Sequence, residues 1–503
     1  MKNPLCKTVL GALALLAGLG ASAAEPTLKA DIVIVGAGAS GTAAALASAQ
    51  QGAKVVLLEK QAAPGGTGNF AEGLFAAESS LQQRQGIVVT KDAAFRMIME
   101  YSHWLANPLL VRAFVDKSPD TIEWLKDQGV TFEYIGPGGP GGILTWHVIN
   151  GHSRKMLAIL REKYAALGGE LLLETPGKDL IVEDGKVVGI MAENNQGEKL
   201  RVEAKAVIIA TGGYANNKEM LKKYARFPEV IPVGNIGKDG DGIKMAWSAG
   251  AAPEGMGVMQ AYRPGLAGFP PTSHLIAAAV QPFLWVDPKG RRFTDESTVI
   301  LWPFSGNSVE KVGGTMYSIY DETTRKSLVE GKGIPVPMGE HVLANTRLSK
   351  LDADFAKELA TGHGNVFKAD SIRDLAAQLG MQLETLQATL DENNREADGR
   401  QDPVFAKNPN FLRPVRTGPF YATKLHPRSL GTLGGVKIDE RTQALNGKGE
   451  VIPGLYVTGN DAGGMYGDSY DLLLGGGTLG FAVNSGRIAA ENAVRYAGVT
   501  LKK

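Results

Sequence analysis

The stretch from Asp31 to Glu59 constrains the fold more than any other part of the chain. Asp31-Ile-Val-Ile-Val35 is a β-branched apolar run of the kind that forms a buried strand, and Gly36-Ala-Gly-Ala-Ser-Gly41 follows it without a break. Thr42 to Gln51 is Ala-rich and reads as a helix. Lys54-Val-Val-Leu-Leu58 reads as a second strand and ends at Glu59. Strand, glycines, helix, strand and acid in that order predict a βαβ unit that binds a nucleotide. Gly36 allows the tight turn, Gly38 lets backbone approach a pyrophosphate, and Gly41 lets helix pack on strand. The helix N-terminus offers free N–H groups and the positive end of its dipole. Glu59 lies 18 residues after Gly41, placed to accept from a ribose hydroxyl.

The rest of the chain sets that unit in a larger protein. Its 503 residues suggest about three domain-sized units at ~150 residues each. Hydrophobic residues make up 44% and charged residues 21%, an ordinary globular balance that argues against disorder. Lys+Arg 53 against Asp+Glu 52 gives a formal charge of +1, with no basic excess for nucleic acid. Glycine is in excess, 64 residues against a usual ~7%, without a collagen-like period.

At the N-terminus, Lys2 and Lys7 flank the start of an apolar run, Thr8 to Gly20, followed by the small residues Ala21-Ser22-Ala23. This reads as a secretory signal peptide over 1–24, the alternative being an uncleaved anchor. Cleavage would remove Cys6, the only cysteine. The mature chain is then expected to be periplasmic, without disulfide, iron–sulfur cluster or C-x-x-C-H haem.

Further along, Asp92 to Leu105, Pro108 to Asp127 and Ser153 to Leu167 read as helices, and Asp179 to Ile190 as a hairpin turning at Glu-Asp-Gly-Lys. Ala206-Val-Ile-Ile-Ala210 reads as a buried strand. From about 258 to 430 the strand–helix rhythm lapses, which marks an inserted domain. It returns at Gly454-Leu-Tyr-Val-Thr-Gly459 and in a helix from Leu479 to Tyr496. The expected division is 25–257 and 431–503 as two parts of one nucleotide-binding domain, with 258–430 as a cap. No second G-x-G-x-x-G follows a strand, so a resident flavin is expected rather than a diffusing nicotinamide.

Six motifs occur in the order seen in the fumarate reductase/succinate dehydrogenase flavoprotein family. They are Gly36-Ala-Gly-Ala-Ser-Gly41, Pro64-Gly-Gly-Thr-Gly-Asn69, Ala210-Thr-Gly-Gly-Tyr214, Gly240-Asp-Gly-Ile-Lys-Met245, Gly434-Gly-Val-Lys-Ile438 and Gly454-Leu-Tyr-Val-Thr-Gly459. The chain resembles this family over residues 30 to 495, most of all its soluble flavocytochrome-c, urocanate-reductase and 3-ketosteroid-dehydrogenase branches. The resemblance implies an α/β fold: a Rossmann-like FAD-binding domain interrupted by an α+β capping domain. It implies FAD held at Gly36, Gly38, Ala39, Ser40, Gly41, Glu59 and Lys60, with Gly66, Thr67, Gly68, Asn69 and Gly73 along the isoalloxazine and ribityl chain. Thr211, Gly212, Gly213, Asp241, Asn460, Thr478 and Leu479 complete the implied site. Some relatives tether FAD through a His between 65 and 73; none occurs here, so FAD is expected to be non-covalent. The family often has Glu at the position of Asn460, which carries no charge.

The implied chemistry is hydride transfer between the flavin and an activated C=C bond, with a protein acid supplying the proton. Asp321-Glu-Thr-Thr-Arg-Lys-Ser327 resembles the segment of the family's acid, which would put that role on Arg325; a solvated charge on a polar helix is the alternative. Glu296 resembles the proton-relay glutamate. Tyr262 stands where fumarate reductases have a carboxylate-binding His and urocanate reductases have Tyr, and Gly431 replaces a second His. No Arg lies between 442 and 486, where the family clamps a carboxylate, so fumarate is a poor candidate. Tyr470 resembles a catalytic tyrosine of the ketosteroid dehydrogenases; packing on the flavin is the alternative. His152 and Arg154 either face the pocket or start a helix. The other histidines show no metal spacing, so no metal is expected.

The expectation is a periplasmic reductase of a urocanate-like or arylacrylate-like enoate, or an enone, active in anaerobic electron transfer. A 3-ketosteroid desaturase and a non-enzymatic flavin carrier are the alternatives. With no haem motif or second nucleotide fold, electrons must come from an external cytochrome or membrane quinol oxidoreductase, and NADH is not expected to serve.

Overall fold

The computed structural model describes residues 26–500 except 228, 235, 236, 271 and 339–341; the signal-peptide assignment, Cys6 and His341 lie outside the described residues. The first unit is the one the sequence dictates. β1 (Thr27–Val35) leads through the glycine turn into α1 (Ala39–Gln50), and β2 (Val55–Leu58) returns parallel to β1 in the register Ile32↔Val55 to Val35↔Leu58. Gly36 has φ +105°, and a Cβ there would collide with the carbonyl of Ala210, so only glycine fits. The helix begins at Ala39, three residues earlier than its Ala-rich run suggests, because the backbone coils directly out of the turn.

Around this unit β3 (Glu170–Leu172) extends the sheet beyond β2, and the hairpin β4 (Gly177–Glu183) and β5 (Lys186–Glu193) leads into β6 (Lys199–Ile209) on the other side of β1. The helices Lys91–Tyr101, Pro108–Asp127 and His152–Ala166 match the expected ones closely. Pro108 sits in the first turn behind an Asn107 cap, where a missing N–H costs nothing.

The chain then leaves the sheet and builds a second, six-stranded one. Its strands are β7 (Met259–Gly265), β8 (Leu284–Val286), β9 (Met316–Asp321), β10 (Val366–Ala369) and β11 (Phe420–Thr432), with α2 (Glu322–Val329) following β9. The sixth, Ile231–Pro232, lies before residue 258 and pairs in parallel with β11. At thirteen residues β11 organises this region. Its first half pairs with β9 and β10 and its second half with β7. Two buried clusters serve the cap, one centred on Trp285 and Tyr320, the other on Leu284 and Ala422.

The C-terminal part completes the first sheet. β12 (Gln443–Leu445) pairs with β13 (Val451–Val457), and β13 lies parallel to β6. The path β12-β13-β6-β1-β2-β3 therefore joins residues from both ends of the chain. α3 (Gly477–Tyr496) packs on α1, so the first domain is closed by the last helix. The result is the expected α/β architecture, a Rossmann-like domain interrupted by an α+β cap. Among the described residues no helix is long and apolar enough to cross a membrane.

Candidate active site

A cleft with about 1070 Å³ of empty space opens where the parallel strands end. This is the crevice in which open α/β sheets bind ligands. Gly36, Gly38, Ala39 and Ser40 line it from the first turn, Glu59 and Lys60 from the end of β2, and Gly66, Thr67 and Gly68 from a short 3₁₀ turn. Thr211, Gly212 and Asp241 line it after β6, and Asn460, Thr478 and Leu479 around the start of α3. No side chain caps α1, so the first N–H groups of that helix are free of a side-chain acceptor. A Cβ at Gly212 would meet nothing within 4 Å, and one at Gly38 only a backbone oxygen at 4.0 Å. The cleft is thus walled by open glycine backbone and a free helix N-terminus. These donors suit a dinucleotide pyrophosphate, and the residues present fit FAD.

Four expected cofactor residues are not on that wall. Gly41 packs against the carbonyl of Gly36, where a Cβ would collide, and so serves the turn. Asn69 donates to the Pro64 carbonyl at 3.2 Å. Gly73 sits on a strand against the His147 carbonyl and Trp146. Gly213 donates its N–H to Asp461 at 2.8 Å.

Side chains hold these loops in place. Glu59 accepts from the N–H of Ala37 at 2.8 Å and of Gln61 at 2.9 Å, tying the glycine turn to the end of β2. Lys60 pairs with Asp239 at 2.8 Å and Asp241 at 2.7 Å. Burial pulls its pKa down, but the two carboxylates outweigh that and leave it raised. Asp461, absent from the sequence reading, is fully buried and accepts from the Thr211 N–H and hydroxyl and from the N–H groups of Gly212 and Gly213. Burial raises its pKa against those donors. The signal was available: an acid directly after the expected site residue Asn460, just beyond a buried strand.

Beyond the cleft lies an aromatic box. Trp302 stacks on Tyr470, with centroids 5.3 Å apart and planes at 19°, and lies 5.3 Å from Tyr262 at 58°. Tyr470 is 4% exposed and its hydroxyl faces Thr478, whose own hydroxyl accepts from Gln260 at 3.3 Å. Thr478 and Gln260 both line the cleft, so the box and the cofactor site share a wall. Burial pushes the Tyr470 hydroxyl up to about 12, and it keeps its proton at neutral pH.

Two arginines the sequence reading missed flank Tyr262. The guanidinium carbons of Arg263 and Arg428 lie 5.8 Å and 5.7 Å from its ring centroid. Arg428 faces Tyr262 across the β7–β11 ladder. Both are buried, and neither has a carboxylate partner among the described residues. Arg263 donates to the Val299 carbonyl at 3.1 Å, while the Nε of Arg428 has no partner.

The two capping-domain residues expected to move protons sit elsewhere. Arg325 does not line the cleft. The i, i+3 spacing on α2 folds it back onto Glu322, with both contacts at 2.8 Å, and its other arm meets Asp352 at 2.8 Å. Glu322, then burial working against it, then Asp352 set its pKa, and the net effect raises it, which makes Arg325 a poorer acid. Glu296 is 0% exposed and is held by Arg292 at 2.8 and 2.9 Å, by Lys407 at 3.0 Å and by the Trp285 N–H at 3.2 Å. It belongs to a buried ionic cluster, which Arg292 extends to Glu396 and Asp402. His152 and Arg154 begin a helix and do not line the cleft.

The family described as FAD binding domain matches residues 31–478. The chain is 35% identical over 478 residues to vinyl phenol reductase of Lactiplantibacillus plantarum, covering 93% of this chain and 96% of that protein. It is 29% identical to fumarate reductase (cytochrome) of Shewanella frigidimarina, over 95% of this chain and 79% of that one. Among solved structures, the open conformation of a flavocytochrome c3 fumarate reductase superposes with a TM-score of 0.70 at 24% identity, over 94% of this chain and 79% of that one.

Proposed function

The chain belongs to the FAD-binding flavoproteins of the fumarate reductase/succinate dehydrogenase family and is an FAD-dependent oxidoreductase acting on carbon–carbon double bonds; from that premise we propose that it reduces an aryl-conjugated alkene, an arylacrylate-like or urocanate-like acid. FAD is held without a covalent bond. The enzyme works in the periplasm and draws electrons from a separate cytochrome or membrane quinol oxidoreductase. When bound, FAD supplies the two-electron chemistry, delivering a hydride to one carbon of the double bond.

The observation that carries the substrate class is the box of Tyr262, Trp302 and Tyr470 with two buried guanidiniums at its edge that have no carboxylate partner among the described residues. A planar ring suits the aromatic walls, and an anionic group suits Arg263 and Arg428. Fumarate uses none of the aromatic surface. Tyr470 is our candidate acid: protonated at neutral pH, buried, and next to the cleft residue Thr478. It gives its proton to the alkene carbon that does not receive the hydride. Tyr262 and Trp302 orient the ring, and the box excludes water.

Anaerobic assay with reduced viologen tests this. Cinnamate-type acids and vinyl phenols should reoxidise the reduced protein, and Tyr470→Phe should slow this by on the order of 10²–10⁴-fold at unchanged FAD content. Reoxidation by fumarate alone would overturn the substrate class. Flavin reduction by a saturated 3-ketosteroid would make the enzyme a desaturase.

A further inference from the structure

Among the described residues Lys238 is a buried cation without a counter-ion. It lies between the short strand Ile231–Pro232 and the helix Asp241–Ser248, is 3% exposed and lines the cofactor cleft. Its Nζ donates to the Leu430 carbonyl at 2.8 Å, which uses one of three N–H donors. No carboxylate pairs with it among the described residues, because the nearest acids in sequence, Asp239 and Asp241, both turn to Lys60. Lys60 and Lys238 are the only lysines or arginines lining the cleft among the described residues, and Lys60 is neutralised twice over. Burial alone pulls Lys238 down to about 8.

Two neighbouring positions make this arrangement possible. A Cβ at Gly431 would lie 3.6 Å from the Lys238 Nζ and 2.8 Å from the Asn460 Nδ2, so any larger side chain would take the space beside the ammonium. Position 460 carries an amide where a carboxylate would have neutralised the lysine. A chain of contacts links the acceptor of the Lys238 ammonium to the wall shared with the aromatic box. The Ser429 hydroxyl, one residue before its acceptor Leu430, donates to the Gln260 carbonyl at 3.1 Å, and the Gln260 side chain reaches Thr478. An uncompensated buried cation is costly unless an anion joins it.

We infer that Lys238 is the counter-charge for the reduced cofactor, neutralising the negative charge that the isoalloxazine gains when it takes up two electrons and one proton. The electrons come from the external donor in the cell and from dithionite or viologen in vitro. The inference rests on FAD occupying the cleft and not on the identity of the alkene. Lys238 thereby favours the reduced state and lets a weak donor load the flavin.

The test is the two-electron midpoint potential of the purified holoprotein, measured by anaerobic spectroelectrochemistry without substrate. Lys238→Met should lower the equilibrium constant for reduction at least tenfold, about 30 mV for a two-electron couple. Lys238→Arg should restore most of it. An unchanged potential in Lys238→Met overturns the inference. Loss of FAD affinity at unchanged potential would assign Lys238 to the cofactor phosphates and also overturn it. A wild-type protein that carries no flavin would sink this inference and the proposed function together, whereas a failed alkene panel leaves these potentials decisive.

Discussion

Replacing Glu296 by Gln separates the two roles open to this residue. Among the described residues Glu296 is the only carboxylate that forms an ion pair with Lys407, which is itself buried. Arg292 would keep Glu396 and Asp402. The variant therefore leaves the Lys407 ammonium with the Phe283 carbonyl but no ion-pair partner, so it must either stay charged while buried or lose its proton. Losing it at pH 7, against an ordinary pKa of ~10.4, costs at most about 4.6 kcal/mol at ~1.36 kcal/mol per unit. That ceiling lies within the ~3–5 kcal/mol typical of breaking a buried pair. We expect 3–5 kcal/mol, read as a lower urea midpoint at unchanged slope. Trp285 fluorescence is a local reporter, since its backbone N–H donates to Glu296 while its indole N–H is held by the Gln281 carbonyl. The pH dependence has a definite sign. In the variant, the unfolded chain holds a proton on Lys407 that the folded chain lacks, so stability rises with pH by up to about 1.4 kcal/mol per unit and the gap to wild type closes toward pH 10. Turnover of the folded variant should stay within a few-fold of wild type. A variant of normal stability with turnover down 10²-fold would refute the structural role and make Glu296 a proton relay.

Two further substitutions probe the other assignments. Arg325→Lys should leave alkene turnover within about a factor of two, because its guanidinium is held by Glu322 and Asp352 away from the cleft; a loss of ~10²-fold would return the acid role to it. Asp461→Asn turns an amide toward backbone N–H groups that need an acceptor, at ~1–3 kcal/mol, so the FAD dissociation constant should rise roughly 5- to 150-fold; unchanged affinity would show that the loop at Thr211–Gly213 does not depend on it.

The cofactor cleft was largely legible in the sequence because it is built from backbone. A buried strand, a glycine turn and a helix start have fixed local spacing, so Gly36, Gly38, Ala39 and Glu59 could be placed without tertiary information. The charged residues could not. Nothing in the local sequence singles out Lys238, Arg263 or Arg428, and only contacts to segments far away in the chain bury them: Leu430 for Lys238, and the β7–β11 ladder for the arginines. Arg325 shows the converse. Its motif resembled a catalytic one, but Glu322 on the same helix and Asp352, 27 residues on, capture its side chain. Glu296 resembles a relay glutamate in sequence, while the fold brings Lys407 and Asp402 around Arg292 and its own carboxylate.

The joining of both chain ends in one sheet has a consequence for the order of synthesis. The cleft is lined from Val35 to Ala482, and β13, which flanks β6, is made about 240 residues after β6 ends. At ~5–20 residues per second, roughly 12–50 s separate the two strands on the ribosome. During that interval the nascent chain carries the complete glycine fingerprint and yet has no pocket, since Asn460, Thr478 and Leu479 do not exist. Prosthetic-group loading is thereby confined to finished chains, and a truncation before α3 should yield colourless protein however intact its nucleotide motif.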